Sequence, residues 1–207
     1  MMKQSALQRH VWALPFEIVM ALSLLIFVWT GQFGHAFATA GLLVACALLP
    51  IAEHVWRIRF APTLHSLYVG FLFMSIYAAE LLDMYGKITL WDDAVHIVSG
   101  LLVGLVGVVW ITSLSERKTV RMPVWLQVFM VIATGALVAV VWELIEFTSD
   151  HVLGTFMQRA DLFDTMTDMA YGLGGAIAVA SLFGRYLQQR RSFGIRRILA
   201  QQRQVNS

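Results

Sequence analysis

The sequence predicts an all-α membrane protein, a six-helix transmembrane bundle with both termini in the cytoplasm. Apolar residues make up 58% of the chain and charged residues only 14%, whereas a soluble domain carries about 25% charged residues. Apolar runs also recur along the chain, and crossing the hydrocarbon takes about 20 residues in a helix. The predicted spans cover residues 13–30, 36–52, 62–82, 93–114, 124–147 and 165–184.

The spans differ in how they begin and end. We expect the first run to be an uncleaved helix, because Glu17 interrupts it and no cleavage site follows it closely. The second run is the shortest, and Pro50 lies near its end, where a missing N–H is tolerated. The other runs are long enough to cross the bilayer. Residues 1–184 are therefore predicted to form one polytopic membrane domain.

The basic residues predict the orientation of these spans. Lysine and arginine concentrate in cytoplasmic loops, and Lys87 and Arg159 are the exceptions to a one-sided distribution in this sequence. Both termini are therefore expected in the cytoplasm of a bacterial inner membrane. Residues 185–207 form a basic tail that topology already explains, so we expect lipid and not nucleic acid as its neighbour.

The acidic residues gather on the opposite side. On this topology all of them except Glu17, Glu53 and Glu116 lie near the outer membrane face. Several follow helical spacing, so that each of four helices presents a polar stripe at a similar depth. We predict a metal-binding group and a supporting acidic cluster. The metal group is Asp92, His96, Glu143, Glu146, Asp164 and Asp168, and the supporting residues are Glu80, Asp83, Asp93, Asp150 and Asp161.

Three explanations of this cluster remain open at the level of sequence. The carboxylates can share protons, bind a divalent cation together with the imidazole, or cap helices and face water. Capping suits Asp93 and Asp164, which begin inward-running helices, where the helix dipole favours an anion. It does not suit Glu143 or Glu146, which lie near the negative end of an outward-running helix.

Glycines in the fourth and sixth spans predict close helix packing. Small residues let two membrane helices bring their backbones together. The glycines expected to act in this way are Gly100, Gly104, Gly172 and Gly175.

The acidic segments resemble the YjdF-type family of bacterial inner-membrane proteins of unknown function and, more distantly, the VanZ-like family. The resemblance covers residues 80–180 and implies a multi-pass helical protein without a settled chemistry. VanZ-like sequences usually carry lysine, glutamine and asparagine where Asp93, Glu146 and Asp168 stand here. The residues that carry the resemblance are Asp92, His96, Glu143, Glu146, Gly154, Gln158, Asp161, Asp164, Asp168 and Gly172.

Three functions fit these observations, and the sequence does not decide whether the protein is an enzyme. The first is a metal-dependent reaction on an envelope or lipid-linked substrate, because acid-rich sites use cations to activate water. The second is a proton- or cation-coupled transporter, because carboxylates in membrane helices often mark ion pathways. The third is a non-catalytic scaffold or sensor. Motifs of soluble enzymes, such as Gly-rich phosphate loops and G-x-S-x-G, are absent from the sequence.

Overall fold

A computed structural model describes residues 13–79, 84–88, 90–116, 122–154, 158, 161–189 and 193–206. Every regular element in these ranges is a helix. The helices are α1 (Leu14–Trp29), α2 (Phe33–Trp56), α3 (Pro62–Leu72), which continues as a π-helix (Phe73–Ala78), α4 (Met84–Lys87), α5 (Trp91–Glu116), α6 (Val124–Leu153), α7 (Leu162–Gln189) and α8 (Phe193–Asn206).

Within the described ranges, four helices are long and apolar enough to cross a membrane. They are Phe33–Trp56, Trp91–Ser115, Val124–Val152 and Leu162–Gln188. The prediction of an all-helical chain with membrane-length helices is thus confirmed, whereas the count of six spans remains a prediction. Helix α1 has 16 residues, and at 1.5 Å per residue it is about 24 Å long, below the thickness of about 30 Å of the hydrocarbon core.

The expectation that the second span is the shortest is wrong. Helix α2 has 24 residues and runs past Pro50, which lies inside it. A proline removes one hydrogen bond from a helix interior, but apolar surroundings leave the backbone no water to pair with, so the helix continues. The helix ends at Trp56, and the next residue, Arg57, has a left-handed φ of 52°.

The chain divides into two compact units. Unit 1 contains the described part of residues 1–88 together with residues 200–206, and unit 2 the described part of residues 89–199. In unit 1, helices α1, α2 and α3 enclose Met20, Cys46, Val69 and Leu72. Tyr77 of the π-helix lies in the same core, and its hydroxyl is hydrogen-bonded to Ser23 Oγ.

Gln202 of α8 fastens the turn that precedes α3 in unit 1. Its Oε1 accepts a hydrogen bond from the backbone N–H of Ala61 at 2.9 Å, and its Nε2 donates to the carbonyl oxygen of Arg59. Gln202 is only 5% exposed. A buried side-chain amide therefore satisfies a backbone donor and a backbone acceptor that the turn leaves unpaired.

Unit 2 is built on α5, α6 and α7, and α5 makes its most extensive contact with α7. Val108, Ile111, Val131 and Phe183 are almost completely buried between these helices. The first half of α8 adds Ile195 and Leu199 to the same core. The predicted basic tail, 185–207, therefore includes the end of α7 and a helix with a buried apolar face.

Candidate metal centre

Helices α5 and α7 approach each other at backbone contact. A methyl group placed at Gly100 would collide with the carbonyl oxygen of Gly172, and one at Gly175 would lie 2.8 Å from the backbone nitrogen of Leu101. Further along both helices, a methyl group at Gly104 would lie 3.0 Å from Cβ of Val179. The two helices therefore run in the same direction, and only glycine fits where they are closest.

This contact determines the position of two ionisable side chains. His96 precedes Gly100 by four residues on α5, and Asp168 precedes Gly172 by four residues on α7. Residues four apart lie above one another on a helix. The close glycine contact thus brings His96 and Asp168 together one turn away.

Asp92, His96 and Asp168 form a compact group of potential ligands. His96 Nε2 lies 3.5 Å from Asp92 Oδ1 and 3.7 Å from Asp168 Oδ1. One ligand atom from each residue lies within 4.8 Å of the other two. A tetrahedral cation with ligands at about 2.0–2.1 Å holds them about 3.3 Å apart. The two distances from His96 are longer than hydrogen bonds and a few tenths of an ångström longer than the ligand spacing around such a cation.

The group is buried and lacks part of its hydrogen bonding. His96 is 8% exposed and Asp168 only 3%. Asp168 Oδ1 accepts no hydrogen bond from the residues that the structure describes. A buried carboxylate oxygen that accepts no hydrogen bond costs free energy that a proton or a cation would recover.

Helix α6 adds Glu143 to this region. The side chain is 5% exposed, and its charge acts on His96, Asp92 and Asp164. Its Oε1 is buried and accepts no hydrogen bond within the described ranges. Helices α6 and α7 pack antiparallel, because methyl groups at Gly135 and Gly172 would meet Ala176 and Ala139. Glu143, one turn beyond Ala139, therefore lies level with Asp168, which is one turn before Gly172.

Gln158 holds the other side of Glu143. Its Nε2 lies 3.2 Å from the carbonyl oxygen of Glu143 and 3.4 Å from Glu143 Oε2, and donates to both. The backbone of Gln158 is fixed as well, because its N–H donates to Asp150 Oδ2 at 3.0 Å and its carbonyl accepts from the N–H of Asp161 at 3.1 Å. Helix α6 ends at Leu153, and the next residue, Gly154, has a left-handed φ of 69°.

The remaining predicted site residues have separate environments. Asp161 is exposed and accepts a hydrogen bond from the N–H of Phe163 at 2.8 Å, so it caps the start of α7. Glu146 accepts a hydrogen bond from Trp142 Nε1 at 2.8 Å.

Asp164 is half-buried, and its charge acts on Asp168. Asp93 and Asp150 are half-buried, whereas Glu80 and Asp83 lie outside the described residues.

Sequence reasoning missed one buried pair in unit 1. His65 is 4% exposed, and its Nε2 lies 3.9 Å from Glu17 Oε1. The available signal was Glu17 itself, a carboxylate inside an apolar run, because such residues face protein interiors more often than lipid.

The ligand atoms of Asp92, His96 and Asp168 limit which cations this group would bind. Two carboxylates and one imidazole form a mixed oxygen and nitrogen set, which suits Zn²⁺, Mn²⁺ or Fe²⁺ better than Ca²⁺. Three protein ligands also leave at least one coordination position for water or substrate, as in catalytic zinc sites. The arrangement can therefore hold a cation and present it to a further ligand.

Comparisons with known proteins agree with the membrane character of the chain. A family model described as "Predicted membrane protein (DUF2238)" matches residues 13–189. An uncharacterized protein of Thermotoga maritima is 26% identical over 114 residues, which cover 55% of this chain and 58% of that protein. No solved structure matches. The family match confirms the YjdF-type resemblance, and the VanZ-like resemblance remains a prediction.

Proposed function

We propose, from the premise that the chain belongs to the DUF2238 family of predicted membrane proteins, that it binds a divalent cation through Asp92, His96 and Asp168. The cation would act on an envelope or lipid-linked substrate. The observation that carries this proposal is the buried imidazole of His96 between two carboxylates, one of which, Asp168, has an oxygen without a hydrogen bond.

Charge balance supports a cation at this position. One histidine can neutralise only one of the two carboxylates beside it, and the charge of Glu143 acts on the same histidine. Ionised groups in a membrane-spanning region are stable when paired or when they coordinate an ion. A divalent cation would neutralise Asp92 and Asp168 together and leave the imidazole neutral, which is the form that binds metals.

The cation would supply Lewis acidity. A bound divalent ion polarises a carbonyl or phosphoryl oxygen and lowers the pKa of a bound water, so that hydroxide is available near neutral pH. Asp92, His96 and Asp168 would hold and orient the ion, and burial would keep bulk water away from it. A hydrolytic or group-transfer reaction is the chemistry that such a centre serves.

The predicted topology supports the choice of substrate. Six spans with both termini in the cytoplasm would put the acidic ends of the fourth and sixth spans near the outer face of an inner membrane. A centre at that depth would be open to lipid headgroups and to envelope precursors. The orientation can be measured by reporter fusions after residues 116 and 154.

Elemental analysis of the purified protein tests the proposal directly. We expect about one equivalent of Zn, Mn or Fe in the wild-type protein and a loss of at least about tenfold in the Asp168→Asn variant. Asp161→Asn is the matched control, because Asp161 is exposed and caps α7. Wild-type protein that binds none of these metals, with Mn²⁺ or Zn²⁺ also added in titration, would contradict the proposal.

A scaffold is the second candidate, and the glycine contact between α5 and α7 favours it. Gly100 and Gly175 allow a backbone contact that stabilises unit 2 without any ligand. A scaffold predicts that EDTA leaves the melting temperature unchanged and that Asp168→Asn alters stability alone. The metal-centre proposal predicts that EDTA lowers the melting temperature of the wild-type protein and not that of Asp168→Asn.

A further inference from the structure

Glu143 presents its two carboxylate oxygens to different surroundings. Oε2 faces the side-chain amide of Gln158, whereas Oε1 is buried and accepts no hydrogen bond from the described residues. Gln158 has little freedom to move, because its backbone is bonded to Asp150 and Asp161. The orientation of Glu143 is therefore fixed from the side opposite to its unpaired oxygen.

Glu143 also differs from the three potential ligands. Asp92, His96 and Asp168 bring their ligand atoms within 4.8 Å of one another, and Glu143 is not part of this group. Glu143 lies one turn beyond Ala139, which packs against Gly172, and is therefore level with Asp168. A carboxylate that lies beside the three ligands without belonging to their group can reach a molecule bound to the cation.

We propose that Glu143 is a positioning residue whose Oε1 accepts a hydrogen bond from the water bound at the open position of the cation. Gln158 keeps Oε1 in place by donating to Oε2. This inference rests on the metal centre proposed above. The proposed role explains why two hydrogen bonds hold the backbone of Gln158, because a carboxylate that orients a metal-bound water must keep its own position.

Two variants separate this role from ligation. Glu143→Gln keeps the size of the side chain but replaces part of its acceptor capacity with an N–H₂ donor. Gln158→Leu removes the side-chain donor and leaves the backbone bonds to Asp150 and Asp161 in place. Gln188→Leu is the matched control, because Gln188 is exposed on α7.

The probe is Co²⁺ added to the full-length protein in detergent, since its visible absorption reports the number and geometry of its ligands. We expect Glu143→Gln and Gln158→Leu to lose no more than about tenfold in Co²⁺ affinity, and Asp168→Asn to lose more than about 100-fold, beyond the cost of changes outside the ligand set. Both variants should change the visible spectrum of bound Co²⁺, and Gln188→Leu should not. Gln158→Leu still gives the answer if Glu143→Gln fails to fold.

The outcomes distinguish the two proposals. A loss of affinity in Glu143→Gln as large as that in Asp168→Asn would make Glu143 a ligand, which overturns the positioning role and leaves the metal centre standing. Unchanged spectra in both variants would overturn the positioning role as well. Wild-type protein that binds no Co²⁺ would overturn the metal centre and, with it, this inference.

Discussion

Each unit buries a histidine against a carboxylate, but the two sites differ in charge. In unit 1, His65 faces Glu17 across 3.9 Å, and the Glu17 side chain is 29% exposed. In unit 2, His96 has Asp92 and Asp168 beside it, and Glu143 lies within electrostatic range. One imidazolium balances one carboxylate, so the first site can neutralise itself with its own side chains. The second has more negative charge than its histidine can balance, which is why we assign the cation to unit 2.

The two units differ most in how closely their helices pack at glycine positions. Gly100→Ala would press a methyl group against the backbone of Gly172, where no side chain can move aside. We expect the free energy of unfolding to fall by about 3 kcal/mol, at the upper end of the cost of overpacking. Gly70→Ala in unit 1 should be nearly neutral, because the nearest atom to the new methyl group is 3.9 Å away.

Unfolding in mixed micelles measures this difference. Gly174→Ala provides a second control inside unit 2, because nothing lies within 4 Å of the added methyl group. Equal stability of Gly100→Ala and Gly174→Ala would show that the α5–α7 contact is looser than described.

The two histidines should differ in their effect on the cation. His96→Ala removes a proposed ligand, so we expect Zn²⁺ or Mn²⁺ affinity to fall by more than about 100-fold, beyond the cost of changes outside the ligand set. His65→Ala should leave the affinity unchanged. Isothermal titration of both variants checks this, and an equal loss in the two would remove the distinction between the units.

Chelation should affect unit 2 alone. A cation present at ten times its Kd stabilises the folded state by about 1.4 kcal/mol, so EDTA should lower the stability of the wild-type protein by that amount. Hydrogen exchange resolves where the effect falls. Faster exchange after EDTA should occur in α5 and α7, and faster exchange confined to α1 and α3 would contradict the assignment.

The smallest effect on stability is expected at the His65–Glu17 pair of unit 1. Glu17→Gln removes the charge that faces His65 and keeps the size of the side chain. We expect a loss of about 1 kcal/mol or less, typical of a partly exposed ion pair. Thermal unfolding checks the value, with Gln32, which is exposed, changed to Glu as a control for the charge difference. A loss as large as that of Gly100→Ala would mean that unit 1 depends on this pair.

The sequence predicts the helices better than the site. Apolar runs mark the membrane-length helices, because a helix in lipid needs an apolar composition rather than a particular arrangement of side chains. Helical spacing also pairs Asp92 with His96, since four residues make one turn. The contact between Gln158 and Glu143 could not be predicted, because no helical spacing relates two residues fifteen positions apart across the end of α6. The same four-residue spacing relates Glu146 to Trp142, which donates a hydrogen bond to it, whereas the bond from the N–H of Phe163 to Asp161 depends on the backbone geometry at the start of α7.

The bonds from Gln202 to the turn before α3 have a consequence for biogenesis. That turn is synthesised and inserted well before Gln202 is made, and all of unit 2 is translated in between. Until the later residue arrives, the amide of Ala61 lacks its native partner. Unit 1 therefore begins first on the ribosome, but the turn before α3 acquires these two bonds only after unit 2 has been translated.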